Sequence, residues 1–361
     1  MSRGSSPQAR WPPDLEAYVP VPALDDDILR LAFNESPDGP FPAALAAIAA
    51  HARGASRYPE RDGELLRRLA ERHRLPPVQV ALGNGADALI GYISAAYLRP
   101  GDEVASAWPS FPTYVTDARK QGATVTLAPL VDGAVDLAAV AERIGPRTKL
   151  VWICSPNNPT GGAVSRADFR AFIDAVPERV LVVVDEAYYD FLDGPAELDA
   201  IGEYVGDRPN VAALRTFSKL YGLAGLRIGY LAGPEPVITA VGQARHYYDI
   251  AGLAAVAALA SLECAAEVTR RRRLNIARRD RLARGLAELG LRALPSQGNF
   301  VCVDVADADA VATALLRHGI ATRSLAALGT PELLRITVGD EPQAERLLAR
   351  LGVARGGLPQ A

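Results

Sequence analysis

Little in this 361-residue chain points to a disulfide framework, a metal centre or a charged polymer as partner. The three cysteines, Cys154, Cys264 and Cys302, lack paired-motif spacing, and two of them fall in the apolar runs LVWICSP and NFVCVDV. They read as reduced core thiols. The four histidines, His51, His73, His246 and His318, are scattered without ligand spacing, so no metal is expected. Formal net charge is only −3, which offers no excess of either sign to nucleic acid or to an anionic membrane surface. The polar start MSRGSSPQAR has no apolar segment behind it, so no secretory signal is expected. The longest low-charge run, YYDIAGLAAVAALASLECAA, carries Asp249 and Glu263 and reads as a packed helix, not a membrane span. What these absences leave is a soluble, cytoplasmic protein that meets small molecules or a second copy of itself.

Seven apolar, β-branched runs are present: VQVAL, EVASA, TVTLAPL, LVWICSP, VLVVVDE, VAALRTFS and RIGYLAG. They alternate too little to have one wet face, so each is expected to be buried on both sides. Helix-period stretches such as GELLRRLAERH and SRADFRAFIDAV lie between them. The fold class is therefore α/β, with a mostly parallel, doubly wound seven-stranded sheet. Beyond about residue 255 long helices and short strands predict a smaller α+β domain. The expected organisation is an extended N-terminal arm over 1–45 that joins the small domain and a subunit interface, a large domain over 46–255 and a small domain over 256–361. The arginine-rich stretch RRRRLNIARRDRLARGLAELG reads as a solvated helix face laced with ion pairs, Glu267 to Arg271 and Asp280 to Arg284 at i,i+4.

In a doubly wound sheet, ligands bind at the carboxyl ends of the strands, and four of those ends carry unusual residues. LGNGADALI runs from a strand through Gly83 and Gly85 into a helix beginning near Asp87, whose free N–H groups suit a phosphate. CSPNNPTGG places Asn158 just past a second strand. VLVVVDEAYYDF ends a buried strand on Asp185 with Tyr188 three residues on, and a carboxylate there costs desolvation energy unless it meets a cation. RTFSKLYGLAGLRIGY ends a fourth strand with Thr216, Ser218 and Lys219 and leads to Arg227 at the start of the next. A lysine held in a partly dry site has a depressed pKa and becomes a Schiff-base nucleophile.

Taken in order, N-P-T-G at 158–161, D-E-A-Y at 185–188 and S-K-x-x-x-L-x-G-L-R-x-G at 218–229 resemble the fold-type I aminotransferases that use pyridoxal 5'-phosphate (PLP). LAFNESPDGPFP, SRYPERDGELLRRLAERH, LGNGADALI, PSQGNF and LLRITVG are similar to the histidinol-phosphate aminotransferase family, so the resemblance runs from about Tyr18 to Leu351. It implies that Lys219 forms the Schiff base with PLP and then moves the substrate proton. Asp185 would pair with the pyridinium nitrogen, and Tyr188 and Asn158 would hydrogen-bond the phenolic oxygen. Phe111 would stack on the ring. Gly85, Ala86, Thr216, Ser218 and Arg227 would hold the phosphate, with Ala86 standing where many relatives have serine. Tyr58 would reach the phosphate of a neighbouring subunit, making the active unit a homodimer. Arg335 would grip the α-carboxylate of an amino donor or 2-oxo acid. Tyr18, Asn34 and Arg323 would line the substrate side.

Departures from the family pattern gather on that substrate side. Asp249 and Ala251, in YYDIAGLA, stand where relatives show asparagines, Ser324 where they show proline and Leu328 where they show an aromatic. A carboxylate near a phosphate pocket would repel the substrate unless it turns away or meets a cation. The expected activity is transamination between histidinol phosphate and 2-oxoglutarate. An aromatic or specialised amino-acid aminotransferase is the alternative that Asp249 motivates, and a PLP decarboxylase of the threonine-phosphate type or a non-catalytic PLP-binding domain stands further off.

Overall fold

The computed structural model describes residues 23–60, 62–194 and 198–356, with side chains through 352. Each of the seven apolar runs becomes a strand of one sheet: β1 (Val80–Gly83), β2 (Glu103–Ala107), β3 (Thr124–Ala128), β4 (Thr148–Cys154), β5 (Leu181–Asp185), β6 (Val211–Thr216) and β7 (Gly229–Ala232). The order across the sheet is β1-β7-β6-β5-β4-β2-β3. Only β7 runs antiparallel, and it does so to both of its neighbours.

The lack of alternation in these runs has a direct physical counterpart. Along β4 to β6, successive side chains enter two different cores. Val151, Ile153, Val182, Val184, Val211 and Ala213 belong to one. Leu150, Trp152, Leu181, Val183, Ala212 and Leu214 belong to the other. Both faces are dry, so both sets must be apolar.

A second, antiparallel sheet orders β8 (Phe300–Asp304), β10 (Leu333–Thr337) and β9 (Arg323–Ser324) with β10 in the middle. Its core joins Val301, Val303, Leu334 and Ile336 to Leu282, Leu286, Leu315 and Leu347 from three helices, and to Leu31 from the N-terminal segment. That segment is tied in by Leu29–Arg30, which pairs in parallel with Ile320–Ala321.

Two local expectations need correction. The helix after β1 begins at Gly85, two residues before Asp87. On the long helix Ala265–Glu288, Glu267 does meet Arg271 at 2.8 Å, but Asp280 pairs with its neighbour Arg279 at 3.4 Å instead of with Arg284. Among the described residues no single helix is long and apolar enough to cross a membrane, and no cluster of His, Cys, Asp or Glu could hold a metal.

Candidate active site

The strand registers converge on one edge. Cys154 pairs with Asp185 and Asp185 with Leu214, so β4, β5 and β6 end side by side. Because β7 is reversed, its first residue, Gly229, pairs with both Thr216 and Gly83 at the carboxyl ends of β6 and β1. The loop between β6 and β7 therefore leaves and returns at the same edge, which brings Lys219 and Arg227 together there. Gly222 lets that loop press against the N-terminal segment: a Cβ on it would lie 2.1 Å from the Gly39 carbonyl oxygen, and its φ is +71°.

A cavity of about 420 Å³ opens between this edge and the N-terminal segment, with Phe111, Asp185, Tyr188, Ser218, Lys219 and Arg227 in its wall. Ala86, Asn158 and Thr216 line it too. Lys219 is partly buried, and its Nζ donates to the Phe33 carbonyl at 3.2 Å. Burial, and then the positive charges of Arg335 and Arg227, lower its pKa to about 7. Asp185 is buried; Oδ2 accepts from the Tyr114 hydroxyl at 2.6 Å and Oδ1 from the Ala187 amide at 3.0 Å. Burial raises its pKa, and the Tyr114 hydroxyl opposes that rise. The acid still has no cation within hydrogen-bond reach.

Tyr188 is buried, and burial pushes its pKa up to about 12, so it is a neutral phenol with a proton to donate. Its oxygen accepts from Asn34 Nδ2 at 2.9 Å. Asn158 Oδ1 accepts from Arg335 Nη1, while Arg335 Nη2 donates to the Ala32 carbonyl. The remaining nitrogen of that guanidinium, Nε, is buried without a partner. Arg335 also stands directly across from Arg323 in the β9–β10 register. Burial lowers its pKa, and Arg323 adds to that.

At the opposite end, Thr216 Oγ1 lies 2.9 Å from Ser218 Oγ and Arg227 Nη1 lies 3.5 Å from it. Arg227 is in the left-handed region at φ +51°. Gly85, at φ +77°, leaves the space that Arg227 uses, since a Cβ there would come 2.5 Å from Arg227 Nη2. Serine 218, Arg227 and the first amides of the helix Gly85–Tyr97 thus make an anion cradle.

These residues fit the cofactor that the motifs imply. A weakly basic lysine, a buried acid without a cation and a glycine-lined anion cradle border one cavity, which matches an aldehyde, a ring nitrogen and a phosphate in turn. Of the other sequence-predicted residues, Asn34 and Arg335 enter through Tyr188 and Asn158, and Arg323 is exposed beside Arg335. Tyr58 is 73 % exposed and stacks on Tyr248 at 4.2 Å between ring centroids, outside this cavity. Tyr18 lies outside the described residues.

Asp249 does not face the cavity. Its Oδ2 accepts from the Asn84 amide at 3.1 Å and lies 3.7 Å from Arg245 Nε. The carboxylate expected to oppose a substrate phosphate is thus turned away from the cavity and meets a cation. Sequence reasoning missed Tyr114, although it lies in the stretch WPSFPTY one helical turn past Phe111, and also Arg30, Phe33 and Glu35, which wall the cavity from the N-terminal segment.

A family model described as aminotransferase class I and II matches residues 26–351. The histidinol-phosphate aminotransferase of Symbiobacterium thermophilum is 39% identical over 352 residues, 95% of this chain and 97% of that one. Its counterpart in Geobacillus thermodenitrificans is 40% identical over 326 residues, 89% of this chain and 88% of that one. Among solved structures, the histidinol-phosphate aminotransferase from Sinorhizobium meliloti in complex with pyridoxal-5'-phosphate superposes with a TM-score of 0.86 at 30% identity, covering 92% of each chain.

Proposed function

This chain belongs to the class I and II aminotransferases, and from that premise we propose that it moves the amino group of histidinol phosphate to 2-oxoglutarate with PLP as cofactor. PLP supplies a carbonyl carbon for exchange with amines and a ring that accepts the electron pair left when the substrate α-carbon loses its proton. The protein's own residues do the rest. Burial, and then Arg335 and Arg227, lower the Lys219 pKa to about 7, which suits its Nζ to act as a nucleophile and as a base for the α-proton. Asp185 would offer its carboxyl group to the ring nitrogen; burial raises its pKa and the Tyr114 hydroxyl opposes that rise, favouring the ionised form. Tyr188 and the side-chain amide of Asn158 would donate to the phenolic oxygen. Ser218, Thr216, Arg227 and the amides of Gly85 and Ala86 would hold the phosphate, and Phe111 would pack on the ring.

The observation that carries the substrate reading is the pair Arg323 and Arg335. Two like charges directly across a strand pair are unfavourable by themselves. With Arg335 Nε unpartnered as well, they suit a dianionic group. A phosphate ester in one half-reaction and a dicarboxylate in the other both meet that requirement. Asp249 no longer argues for a different amino donor, because it lies against Asn84 and Arg245.

The reading extends to assembly and organisation. Tyr58, Tyr247 and Tyr248 are 73 %, 96 % and 62 % exposed, and two of them border a groove with Leu253 and Val256. A second copy would cover this face, with Tyr58 reaching its partner's phosphate site. The arm over 1–45, large domain over 46–255 and small domain over 256–361 belong to the same proposal, as does a cytoplasmic location.

Rapid-scan spectroscopy of the two half-reactions tests the substrate. The pyridoxal-phosphate form should take an amino group from histidinol phosphate or glutamate, and the pyridoxamine-phosphate form so made should give it to imidazole-acetol phosphate or 2-oxoglutarate, each faster than with aromatic or basic amino acids and their 2-oxo acids. No turnover of the phosphate ester, or carbon dioxide release without an oxo acid, would overturn the proposal.

A further inference from the structure

We infer that Asp249 is a positioning residue for the phosphate cradle, acting through the backbone of Asn84; this rests on the PLP reading above. The turn Gly83–Asn84–Gly85 feeds the helix whose first amides form the cradle, and it is held from three sides. A Cβ on Gly83 would lie 2.5 Å from Leu89 Cγ, and one on Gly85 would lie 2.5 Å from Arg227 Nη2, so both glycines are in close packing. The third side is Asp249. Asn84 occupies the cap position of Gly85–Tyr97 but makes no side-chain cap hydrogen bond. Its own amide donates to Asp249 Oδ2 at 3.1 Å, from a residue 165 positions away.

The carboxylate is itself held. Its side chain is 7% exposed, Arg245 Nε lies 3.7 Å from it, and, after burial, its charge is what raises the pKa of the nearby Tyr92 hydroxyl. Asp249 follows Tyr248, whose φ is +54° and whose ring stacks on Tyr58. This segment is therefore fixed at the stacked tyrosines, at Arg245 and at Asn84. Two opposite effects of a carboxylate at this place can be weighed. It repels a phosphate at the helix end, and it fixes the turn whose amides bind that phosphate. Arg245 offsets the first, and a charge-assisted hydrogen bond supplies the second.

The experiment compares binding of PLP and of pyridoxal, which lacks the phosphate, to the apo form of the full chain and of Asp249→Ala and Asp249→Asn. Absorbance titration gives both dissociation constants. In Asp249→Ala the PLP constant should rise about tenfold while the pyridoxal constant holds, the loss expected for one charge-assisted hydrogen bond. Asparagine retains an acceptor oxygen, so Asp249→Asn should stay within about threefold of the parent. An unchanged or improved ratio of PLP to pyridoxal affinity in Asp249→Ala, equal loss of both affinities, or an Asn variant as weak as Ala would overturn the inference. Failure of the parent protein itself to take up PLP would overturn the cofactor reading, and the inference with it.

Discussion

Asp185 and Glu186 are neighbours in sequence, both buried, and they meet opposite surroundings. Glu186 faces the back of the strand ends. Its Oε1 accepts from the Ala200 amide at 2.6 Å and its Oε2 from Arg215 Nε at 2.9 Å. Arg215 reaches on to Asp199 at 2.6 Å and covers the Tyr189 ring at 3.3 Å, while the Tyr189 hydroxyl donates to Asp199 at 3.0 Å. On the front, Asp185 has a phenol and one amide, Lys219 has one carbonyl, and Arg335 keeps an unpartnered Nε. Charge is buried on both sides of the strand ends, but only the back supplies enough partners of its own. A deficit on the front is what a charged ligand would fill.

The largest effect should come from the front. Lys219→Ala should lower transamination by roughly 10³–10⁴-fold and abolish cofactor retention after borohydride reduction. Besides Lys219 the chain has only Lys120 and Lys149 as lysines, so peptide mapping of the reduced protein distinguishes site labelling from surface labelling. Cofactor retained on Lys219→Ala would remove the nucleophile from the site. Stability should move the other way. In the folded apoprotein Lys219 has a pKa near 7, below its ordinary 10.5, so between those values the unfolded chain binds more protons and stability rises with pH. The burden that this lysine places on the fold is full below pH 7 and fades towards pH 10.5. Apo Lys219→Met should accordingly unfold at higher denaturant than the parent at pH 7, and the gap should close as pH rises. A gap that widens would show that Lys219 is not held against its charge.

The back of the strand ends should give the reverse result. Arg215→Met leaves the Glu186 and Asp199 carboxylates without their common partner, and breaking a buried pair in this way costs about 3–5 kcal/mol. Urea unfolding of the apoprotein measures the loss. Adding Glu186→Gln should recover part of it, because it removes the stranded charge. If Arg215→Met were as stable as the parent, the front and back of these strand ends would not differ in the way their partners indicate.

Much of this arrangement was legible in the sequence, for definable reasons. Strands buried on both faces leave unalternating apolar runs, so all seven strands of the large sheet could be read. Glycines at positive φ and polar residues at strand ends mark a ligand edge by their spacing, which exposed Gly85, Asp185, Lys219 and Arg227. Contacts that depend on register or on distant segments leave no such local period. Nothing near Asp249 announces that its carboxylate meets the Asn84 amide, and nothing near Arg335 announces that Arg323 lies across from it. The i,i+4 rule likewise found Glu267 with Arg271 but misplaced Asp280, because a helix surface offers several neighbours of opposite charge.

Tyr114→Phe gives the smallest effect and the sharpest test of what the front lacks. Tyr114 is buried, stacked on Trp152 at 4.8 Å between centroids, and it donates to Asp185 at 2.6 Å. Phenylalanine keeps the ring and the stack, so the stability loss should stay near 1 kcal/mol. The hydroxyl, however, favours the ionised form of Asp185, and burial already pushes that acid towards its neutral form. Removing the hydroxyl should raise the Asp185 pKa further, lower kcat about tenfold and move the acidic limb of the pH profile upward. The back cluster would not transmit such a change, since Tyr189 and Arg215 lie on the other side of the strand. A kcat loss with no movement of the acidic limb would mean that Tyr114 acts by packing alone, and that Asp185 is kept ionised by the ligand's cation without help from the protein.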